Sequence, residues 1–224
     1  MKVSVIGTGK TGGTVLKLLG DNAVGFNEVN PPSAEKIKGT DIAIVFVPGG
    51  AAEEIIELLL EAEVPAVWGT TGYAWPADLS GRVQKINKSW IIGSNFSLGM
   101  NLVRKAINLL GKGAEMLPRP QFHIHEIHHA QKKDAPSGTA LSWQEWLGRD
   151  ALISSDRQGD VKGIHNLHIK TDNESIHIKH EAHNREVFAE GAIWSAEYLL
   201  AHPQLEPGVH SFASVFDRAY KELL

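Results

Sequence analysis

The feature that most constrains the fold is a glycine-rich turn between an apolar strand and a helix near the amino terminus. Residues 2–6 form a strand-like run, and an amphipathic stretch ends at Leu19. Between them lie three glycines, Gly7, Gly9 and Gly12. Glycines at this spacing permit a tight turn and let backbone N–H groups approach a pyrophosphate at the start of the helix. The pattern therefore predicts a dinucleotide-binding turn in an α/β sheet; a tight turn without a ligand is the alternative.

Strand-like and helical patterns continue to alternate after this turn. Residues 42–47 are apolar at every position, as expected of a parallel strand that is buried on both faces. Shorter strand candidates lie at residues 23–26, 65–68 and 90–92, and helical spacing recurs between them. The alternation predicts a Rossmann-like, doubly wound parallel sheet.

Small and hydrogen-bonding residues recur where each predicted strand ends. Ligands of open α/β sheets bind outside the carboxyl ends of the strands, so these residues are candidate contacts of an extended dinucleotide. Such residues are found at 7–12, 27–28, 48–50, 69–72 and 93–96. Among them, the predicted cofactor residues are Gly7, Thr8, Gly9, Lys10, Thr11, Gly12, Glu28, Gly69, Thr70, Thr71, Ser94, Asn95 and Phe96. A phosphate loop of nucleoside triphosphatases is rejected, because Ser4 stands where that motif needs its first glycine.

Glu28 bears on the choice between the two nicotinamide dinucleotides. It follows Gly7 by about the 20 positions expected of an acid that binds the ribose 2′-hydroxyl. A carboxylate there would repel a 2′-phosphate, so we expect NADH to be used at least as well as NADPH. An ordinary solvated loop acid is the alternative interpretation of Glu28, and the preceding Asn27 is the other candidate for the ribose contact.

The second part of the chain has a different pattern. Residues 121–129, 164–170 and 175–183 are β-like, and a turn-forming tetrapeptide separates the last two, which predicts an antiparallel hairpin. Residues 191–200 and 215–224 are helical in pattern. We therefore expect a second, α+β domain with an open mixed sheet and helices.

Composition excludes several classes of function. The chain has 224 residues, 42% of them hydrophobic and 21% charged, which is typical of a globular protein. A net charge of −4 gives no broad attraction for nucleic acid or an anionic membrane. Cysteine is absent, which excludes disulfides and thiolate metal sites. No apolar run approaches the ~18 residues of a membrane span. We expect a soluble, cytoplasmic protein that binds neither nucleic acid nor membrane.

Four histidines fall between residues 123 and 129. His125, Glu126 and His129 match the HExxH pattern of zinc peptidases, which requires both histidines on one face of a helix. The β-forming residues among them favour a strand, on which His125 and His129 would lie roughly 13 Å apart. We therefore predict no metal site here; solvated or core histidines remain the simple alternative.

The residues after the histidines suit proton transfer and anion binding. The imidazole of His128 or His129 can deliver a proton near neutral pH, and Lys132 offers a fixed cation. Residues 136–139 precede a helical run, where free backbone N–H groups can hold an anion. Simple turn and helix-capping chemistry is the alternative for this segment.

This segment closely resembles the signature of the dihydrodipicolinate (4-hydroxy-tetrahydrodipicolinate) reductase family. The matching residues are Glu126, His128, His129, Lys132, Asp134, Pro136, Ser137, Gly138, Thr139 and Ala140. Further segments resemble family motifs in family order, and together they span most of the chain. These segments are residues 69–72, 95–101 and 185–192.

The resemblance implies a homotetrameric, cytoplasmic enzyme of diaminopimelate and lysine biosynthesis. Such an enzyme reduces a cyclic dicarboxylate, 4-hydroxy-tetrahydrodipicolinate, to tetrahydrodipicolinate with NADH or NADPH. It also implies a dinucleotide-binding domain at residues 1–98 with 203–224. Residues 99–202 would form a substrate-binding and oligomerisation domain.

The resemblance also implies roles for individual residues. By motif position, His128 is the proton donor and Lys132 its catalytic partner. His129, Gly138 and Thr139 hold the substrate carboxylates. An NAD(P)-dependent reductase of another small imine or carbonyl acid is one alternative. A dinucleotide-binding regulatory protein without catalysis is another, although the intact His128 and Lys132 argue against it.

Two departures from the family pattern fall in the cofactor region. Lys10-Thr11-Gly12 stands where the family often has Arg-Met-Gly, so the charge is kept and the next contact changes. The segment after the third strand, residues 46–48, lacks the hydroxyl that is common in the family. Neither departure touches the substrate signature.

Overall fold

A computed structural model describes all residues of the chain, 1–224, and they form two compact units. The first unit comprises residues 1–97 and 186–224, and the second comprises residues 98–185. No helix of the chain has the length and apolar character that crossing a membrane requires.

The first unit contains a sheet of six parallel strands. The strands are β1 (Val3–Ile6), β2 (Ala23–Phe26), β3 (Ile42–Val45), β4 (Ala66–Trp68), β5 (Ser89–Ile92) and β10 (Gly208–Ser211). Their order is β2-β1-β3-β4-β5-β10, so the direction of winding reverses between β1 and β3. This reversal is the switch point at which doubly wound sheets bind their ligands. The predicted parallel sheet is confirmed.

Helices cover both faces of this sheet. They are α1 (Lys10–Leu19), α2 (Ala34–Lys38), α3 (Ala52–Ala62), α4 (Leu79–Lys85), α7 (Glu186–Ala201) and α8 (Phe212–Glu222). On one face, Ile56 and Leu59 of α3 are fully buried in a cluster with Val45 and Trp68 of the strands. On the other face, α7 packs against α1, β3 and β4.

The helix α7 lies in the first unit, whereas its residues fall within the second domain, residues 99–202, that the family resemblance implies. Gly191 shows why: a Cβ at this position would overlap the carbonyl oxygen of Phe96. The backbone of α7 therefore packs directly on the segment that follows β5. The helix is buried on much of its surface, and such a helix has the same sequence pattern in either unit.

The second unit contains a four-stranded mixed sheet, as predicted. Its elements are α5 (Leu98–Gly113), β6 (Gln121–His128), α6 (Gly138–Leu147), β7 (Leu152–Arg157), β8 (Ile164–Lys170) and β9 (Ser175–Glu181). The strand order is β7-β6-β8-β9, with β7 parallel to β6 and the other pairs antiparallel. The predicted hairpin is confirmed as β8 and β9.

One face of this sheet packs on α5 and α6 through a core that includes Ile107, Ile124 and Trp143. Because side chains alternate along a strand, Glu126 and His128 share the face of Ile124. Leu152 and His177 lie on the opposite face and are exposed. The alternation of side chains along β6 thus turns Glu126 and His128 toward the helices. His123 and His125 face away from them.

Candidate active site

The glycine turn of the first unit lies at the switch point of the sheet, at the carboxyl end of β1. Gly7 has a φ of 89°, and a Cβ there would overlap the carbonyl oxygen of Phe46. A Cβ at Gly12 would overlap the carbonyl oxygen of Gly7. Close packing of the turn against α1 and the end of β3 therefore requires glycine at both positions.

Gly9 differs from these two glycines, because a Cβ there would meet no atom of the chain within 4 Å. It precedes α1, whose amino terminus has no side-chain cap. The first N–H groups of the helix, at Lys10 and Thr11, have no intrahelical partner. An open turn with free N–H groups at the positive end of a helix fits the pyrophosphate of a dinucleotide.

The loop after β2 brings Asn27 against the glycine turn. Its Nδ2 donates a hydrogen bond to Thr8 Oγ1 at 2.9 Å. Its Oδ1 accepts from the backbone N–H groups of Val29 and Asn30, at 2.9 and 3.0 Å. Glu28 is exposed and forms no hydrogen bond or ion pair. The structure thus places Asn27, rather than Glu28, beside Thr8, and the ribose contact of Glu28 stays a prediction.

The end of β4 lies beside the end of β3 at the same edge of the sheet. The N–H of Gly69 donates to the carbonyl of Val45 at 2.8 Å. The ring of Phe46 occupies the space that a side chain at Gly69 would need. That ring also packs edge-to-face with Phe96, with 6.3 Å between centroids. Two aromatic rings therefore form an apolar floor at this edge.

The predicted cofactor residues after β4 and β5 differ in their surroundings. Thr70 Oγ1 is buried and has no hydrogen-bond partner in the chain, which marks it as a group that can bond to a ligand. Thr71 and Ser94 are exposed. Asn95 Oδ1 accepts from the N–H of Ser97 at 2.9 Å, which fixes the turn before α5. The residues of this unit fit a dinucleotide.

The second unit contains a buried carboxylate and imidazole on one strand. Glu126 is fully buried and His128 is 8% exposed. His128 Nδ1 and Glu126 Oε2 are hydrogen-bonded. Residues two apart on a strand share a face, so β6 itself brings the two groups together.

Several hydrogen-bond donors hold Glu126 in its ionised form. Arg157 Nη2 donates to Oε1 at 3.0 Å, and the N–H of Ser137 donates to the same oxygen at 3.2 Å. Burial alone would raise the pKa of Glu126, but the hydrogen bonds from Arg157, Ser155 and His128 lower it to about 2. The carboxylate is therefore a permanent acceptor near neutral pH.

The environment of His128 combines opposing effects. Burial lowers the pKa of His128 below its usual value, and the hydrogen bond with Glu126 raises it again. A Cβ at Gly163 would lie 3.2 Å from Nε2, so glycine leaves space beside this nitrogen. The ring of His165 packs edge-on against His128, with 5.0 Å between centroids. His128 is thus held at Nδ1, and a glycine rather than a side chain lies beside Nε2.

Lys132 lies on the loop that follows β6. Its Nζ donates to Asp134 Oδ1 at 2.8 Å, and its side chain is 23% exposed. The hydrogen bond from Lys132 lowers the pKa of Asp134. His129 follows the end of β6, and its carbonyl accepts from the N–H of Lys132 at 3.1 Å. The structure therefore gathers His128, His129 and Lys132 on one strand end and its tight turn.

The amino terminus of α6 carries the other two predicted substrate residues. Ser137 caps the helix, and its Oγ accepts from the N–H of Ala140 at 3.2 Å. The N–H groups of Gly138 and Thr139 therefore remain without an intrahelical partner. Gly138 is exposed, and a Cβ there would meet no atom within 4 Å. Two free N–H groups at a helix start suit a carboxylate.

The candidate metal ligands of this unit are not those of the HExxH pattern. His125 lies on a strand, as expected, and its Nε2 is bonded to Asp156. Ligand atoms of Glu126, His128 and His165 lie within 4.8 Å of one another. However, Glu126 already accepts hydrogen bonds from several donors, one of which is the Arg157 guanidinium. A cation there would face that fixed positive charge, so the group suits proton chemistry better than metal binding.

Sequence reasoning missed two residues of this site. Glu126 belongs to the family signature, but the sequence-based prediction gives it no role; its spacing of two from His128 on a predicted strand is the signal that indicates one. Arg157 stands opposite His128 in the parallel pairing of β6 and β7. The sequence does not indicate this pairing, since it does not predict a strand at β7.

The fold of the chain is similar to that of a solved reductase and a solved probable dehydrogenase. A dipicolinate-bound dihydrodipicolinate reductase from Paenisporosarcina sp. TG-14 has a TM-score of 0.73, covering 94% of this chain and 97% of that chain at 18% identity. A probable dehydrogenase from Thermotoga maritima has a TM-score of 0.56, covering 98% and 93% at 10% identity. These likenesses show a shared fold. The fold is of the Rossmann-like α/β class, with a second mixed sheet.

Sequence comparison narrows the class to one family. The family described as "Dihydrodipicolinate reductase, C-terminus" matches residues 99–216. A 4-hydroxy-tetrahydrodipicolinate reductase of Bdellovibrio bacteriovorus is 34% identical over 191 residues, which cover 81% of this chain and 79% of that protein. The enzyme of the same name from Xanthomonas campestris pv. campestris is 38% identical over 169 residues, covering 73% and 68%. The chain belongs to the dihydrodipicolinate reductase family, as its signature predicted.

Proposed function

We propose that the protein reduces 4-hydroxy-tetrahydrodipicolinate to tetrahydrodipicolinate with a nicotinamide cofactor, a step of diaminopimelate and lysine biosynthesis. The observation that carries this proposal is the buried Glu126–His128 pair close to the start of α6, in a chain of this reductase family. The overall change replaces a hydroxyl group by hydrogen. It consumes one hydride and one proton and releases one water.

The first unit binds the cofactor at the switch point of its sheet. When bound, the nicotinamide supplies the hydride. The N–H groups at the start of α1 hold the pyrophosphate, and Gly9 leaves room for it. Thr70 offers its unpaired hydroxyl, and Phe46 and Phe96 supply the apolar floor.

The second unit supplies the proton and holds the substrate. His128 delivers the proton from Nε2, the nitrogen that Glu126 does not engage. Lys132 supplies a cation beside it, and His129, Gly138 and Thr139 bind the carboxylates. A dianionic substrate suits a lysine, imidazoles and a helix amino terminus, and this is the chemistry that the site offers.

The preferred nicotinamide, the oligomeric state and the location are also proposals. Glu28, as an exposed acid after β2, favours NADH, whereas Lys36, whose Nζ bonds to the carbonyl of Pro31 at 3.0 Å, places a cation near the same loop. We therefore propose that NADH and NADPH both serve. The family resemblance supports a homotetramer in the cytoplasm, which sedimentation and fractionation test.

The test of the proposed function is a coupled assay. Dihydrodipicolinate synthase, pyruvate and aspartate semialdehyde generate the substrate, and absorbance follows the oxidation of NADH or NADPH. We expect oxidation that requires both the synthase and this protein, with kcat/KM for NADH at least equal to that for NADPH. A much higher kcat/KM with NADPH would contradict the proposed contact between Glu28 and the ribose 2′-hydroxyl.

Two outcomes of the assay support the alternatives. Oxidation with other small imines or carbonyl acids, but none with the synthase product, indicates a reductase of another substrate. Tight binding of NADH without oxidation of any substrate indicates a regulatory dinucleotide-binding protein. Either outcome rejects the proposed reaction.

A further inference from the structure

Glu126 stands out among the acidic residues of the second unit because it is fully buried and saturated with donors. Its Oε1 accepts from Arg157 and from the backbone of Ser137, and its Oε2 is bonded to His128. Burying a charge is costly unless every lone pair is engaged, so such an arrangement needs a reason beyond stability. Among the side chains hydrogen-bonded to it, His128 is the one that can exchange a proton near neutral pH.

We propose that Glu126 is the positioning residue of the proton donor: it holds the His128 imidazole at Nδ1 so that the transferable proton resides on Nε2, and Arg157 in turn holds Glu126. The identity of the proton acceptor, the substrate, rests on the proposed function. The geometry and the acid–base behaviour of His128 do not depend on it. Glu126 does not act on the substrate itself.

The hydrogen-bond pattern fixes which nitrogen carries which proton. An ionised carboxylate only accepts, so Nδ1 keeps its hydrogen in both protonation states of the imidazole. The second proton of the imidazolium is therefore on Nε2. When it is transferred, the N–H bond at Nε2 breaks, its electron pair stays on Nε2, and the new bond forms at the substrate. The neutral ring remains bonded to Glu126 and regains a proton from water.

Arg157 links this pair to the loop that carries Lys132. Besides Glu126, its guanidinium donates to the carbonyl of Asp134 and, at 3.3 Å, to the carbonyl of Lys132. One side chain from β7 thus sets the position of the carboxylate and of the loop together. The register that places Arg157 opposite His128 makes this possible.

The charges around His128 show what Glu126 contributes. Burial, Lys132 from the loop and Arg157 from β7 all disfavour the imidazolium. His165 from β8 packs against the ring, and His180 from β9 lies beside His165. Among the charged groups that act on His128, Glu126 favours the protonated form. Without it, the donor would lose its proton at a lower pH.

The test replaces Glu126 by Gln and follows the titration of His128. An amide cannot accept from Arg157, Ser137 and His128 at once, and it carries no charge. We expect the pKa of His128 in the ligand-free protein, measured by NMR of labelled histidine, to fall by about one unit or more. In a plot of kcat/KM against pH, the midpoint at which activity falls as His128 loses its proton should move to lower pH by the same amount.

Two further variants make the result decisive. Glu126→Asp keeps the negative charge, so the pKa of His128 should fall less than in Glu126→Gln. If Glu126→Gln does not fold, the pKa of His128 in Glu126→Asp is the measurement that tests the proposal. The control is Asp156→Asn, which removes the acid that pairs with His125 on the face of β6 opposite to His128. It should change neither the pKa of His128 nor kcat/KM.

A folded Glu126→Gln protein with an unchanged pKa of His128 overturns the proposal. So does a loss of activity without movement of the pH profile. If the coupled assay fails but the NMR shift appears, the reaction is wrong and the positioning role stands.

Discussion

At the scale of single residues, the site depends on the side chains that surround His128. The sequence placed His128, His129 and Lys132 together because they are close along the chain. It did not assign Glu126, whose role depends on complete burial, or Arg157, whose role depends on a neighbouring strand. Residue types and spacing thus predict which groups can react. Their protonation states depend on packing, which spacing alone does not contain.

Lys132 and its neighbour Lys133 form a natural matched pair for mutation. Lys132 is partly buried and bonded to Asp134, whereas Lys133 is exposed. We expect Lys132→Ala to lower kcat by about 100-fold, because a fixed cation beside the reacting centre is lost. Lys133→Ala should change kcat by less than about twofold, as for a solvated surface charge.

Steady-state kinetics and a separate NADH titration read out this prediction. Binding of NADH should stay nearly intact in both variants, because the proposed cofactor residues belong to the other unit. Equal losses in the two variants, or a loss of NADH binding in Lys132→Ala, would show that the role of Lys132 is misassigned.

At the scale of elements, strong hydrophobic periodicity was predictive. Residues 42–47, apolar throughout, contain the central strand β3, and the hairpin of β8 and β9 followed from its alternating pattern and its turn. The missed strands, β7 and β10, are edge strands that contain polar residues. An edge strand gains its stability from one partner, and its own sequence carries a weak signal.

The helix α7 shows a second limit of sequence patterns. Its pattern predicts a helix, and the structure confirms one over residues 186–201. The pattern does not say which unit the helix joins, since a broadly apolar helix is compatible with either core. The contact between Gly191 and Phe96, which decides the matter, joins motifs that are far apart in the sequence.

At the scale of the whole molecule, buried ionisable groups couple the site to stability. The pKa of His165 is lowered from 6.5 to about 4 by burial and by His128, and this residue is 4% exposed. The pKa of Glu126 is lowered from 4.5 to about 2. Both groups bind protons less well in the folded state than in the unfolded state. Acid therefore favours unfolding through both of them, in successive pH ranges.

We predict that stability falls between pH 6.5 and about 4 through His165, by about 3 kcal/mol at most. A further loss follows as the pH falls from 4.5 toward 2, through Glu126. Urea unfolding at several pH values measures these losses. In His165→Gln, the slope of unfolding free energy against pH should decrease in the first range. An unchanged slope there would mean that His165 is not held neutral by the fold.

The reaction itself is tested by following the hydride. The protein is supplied with the synthase product and with NADH carrying deuterium at both C4 positions of the nicotinamide, and the product is analysed by mass spectrometry. We predict one carbon-bound deuterium per molecule of tetrahydrodipicolinate, with one water released. Product without deuterium, or no product while NADH remains bound, would contradict the assignment of this chain as a nicotinamide-dependent reductase of this substrate.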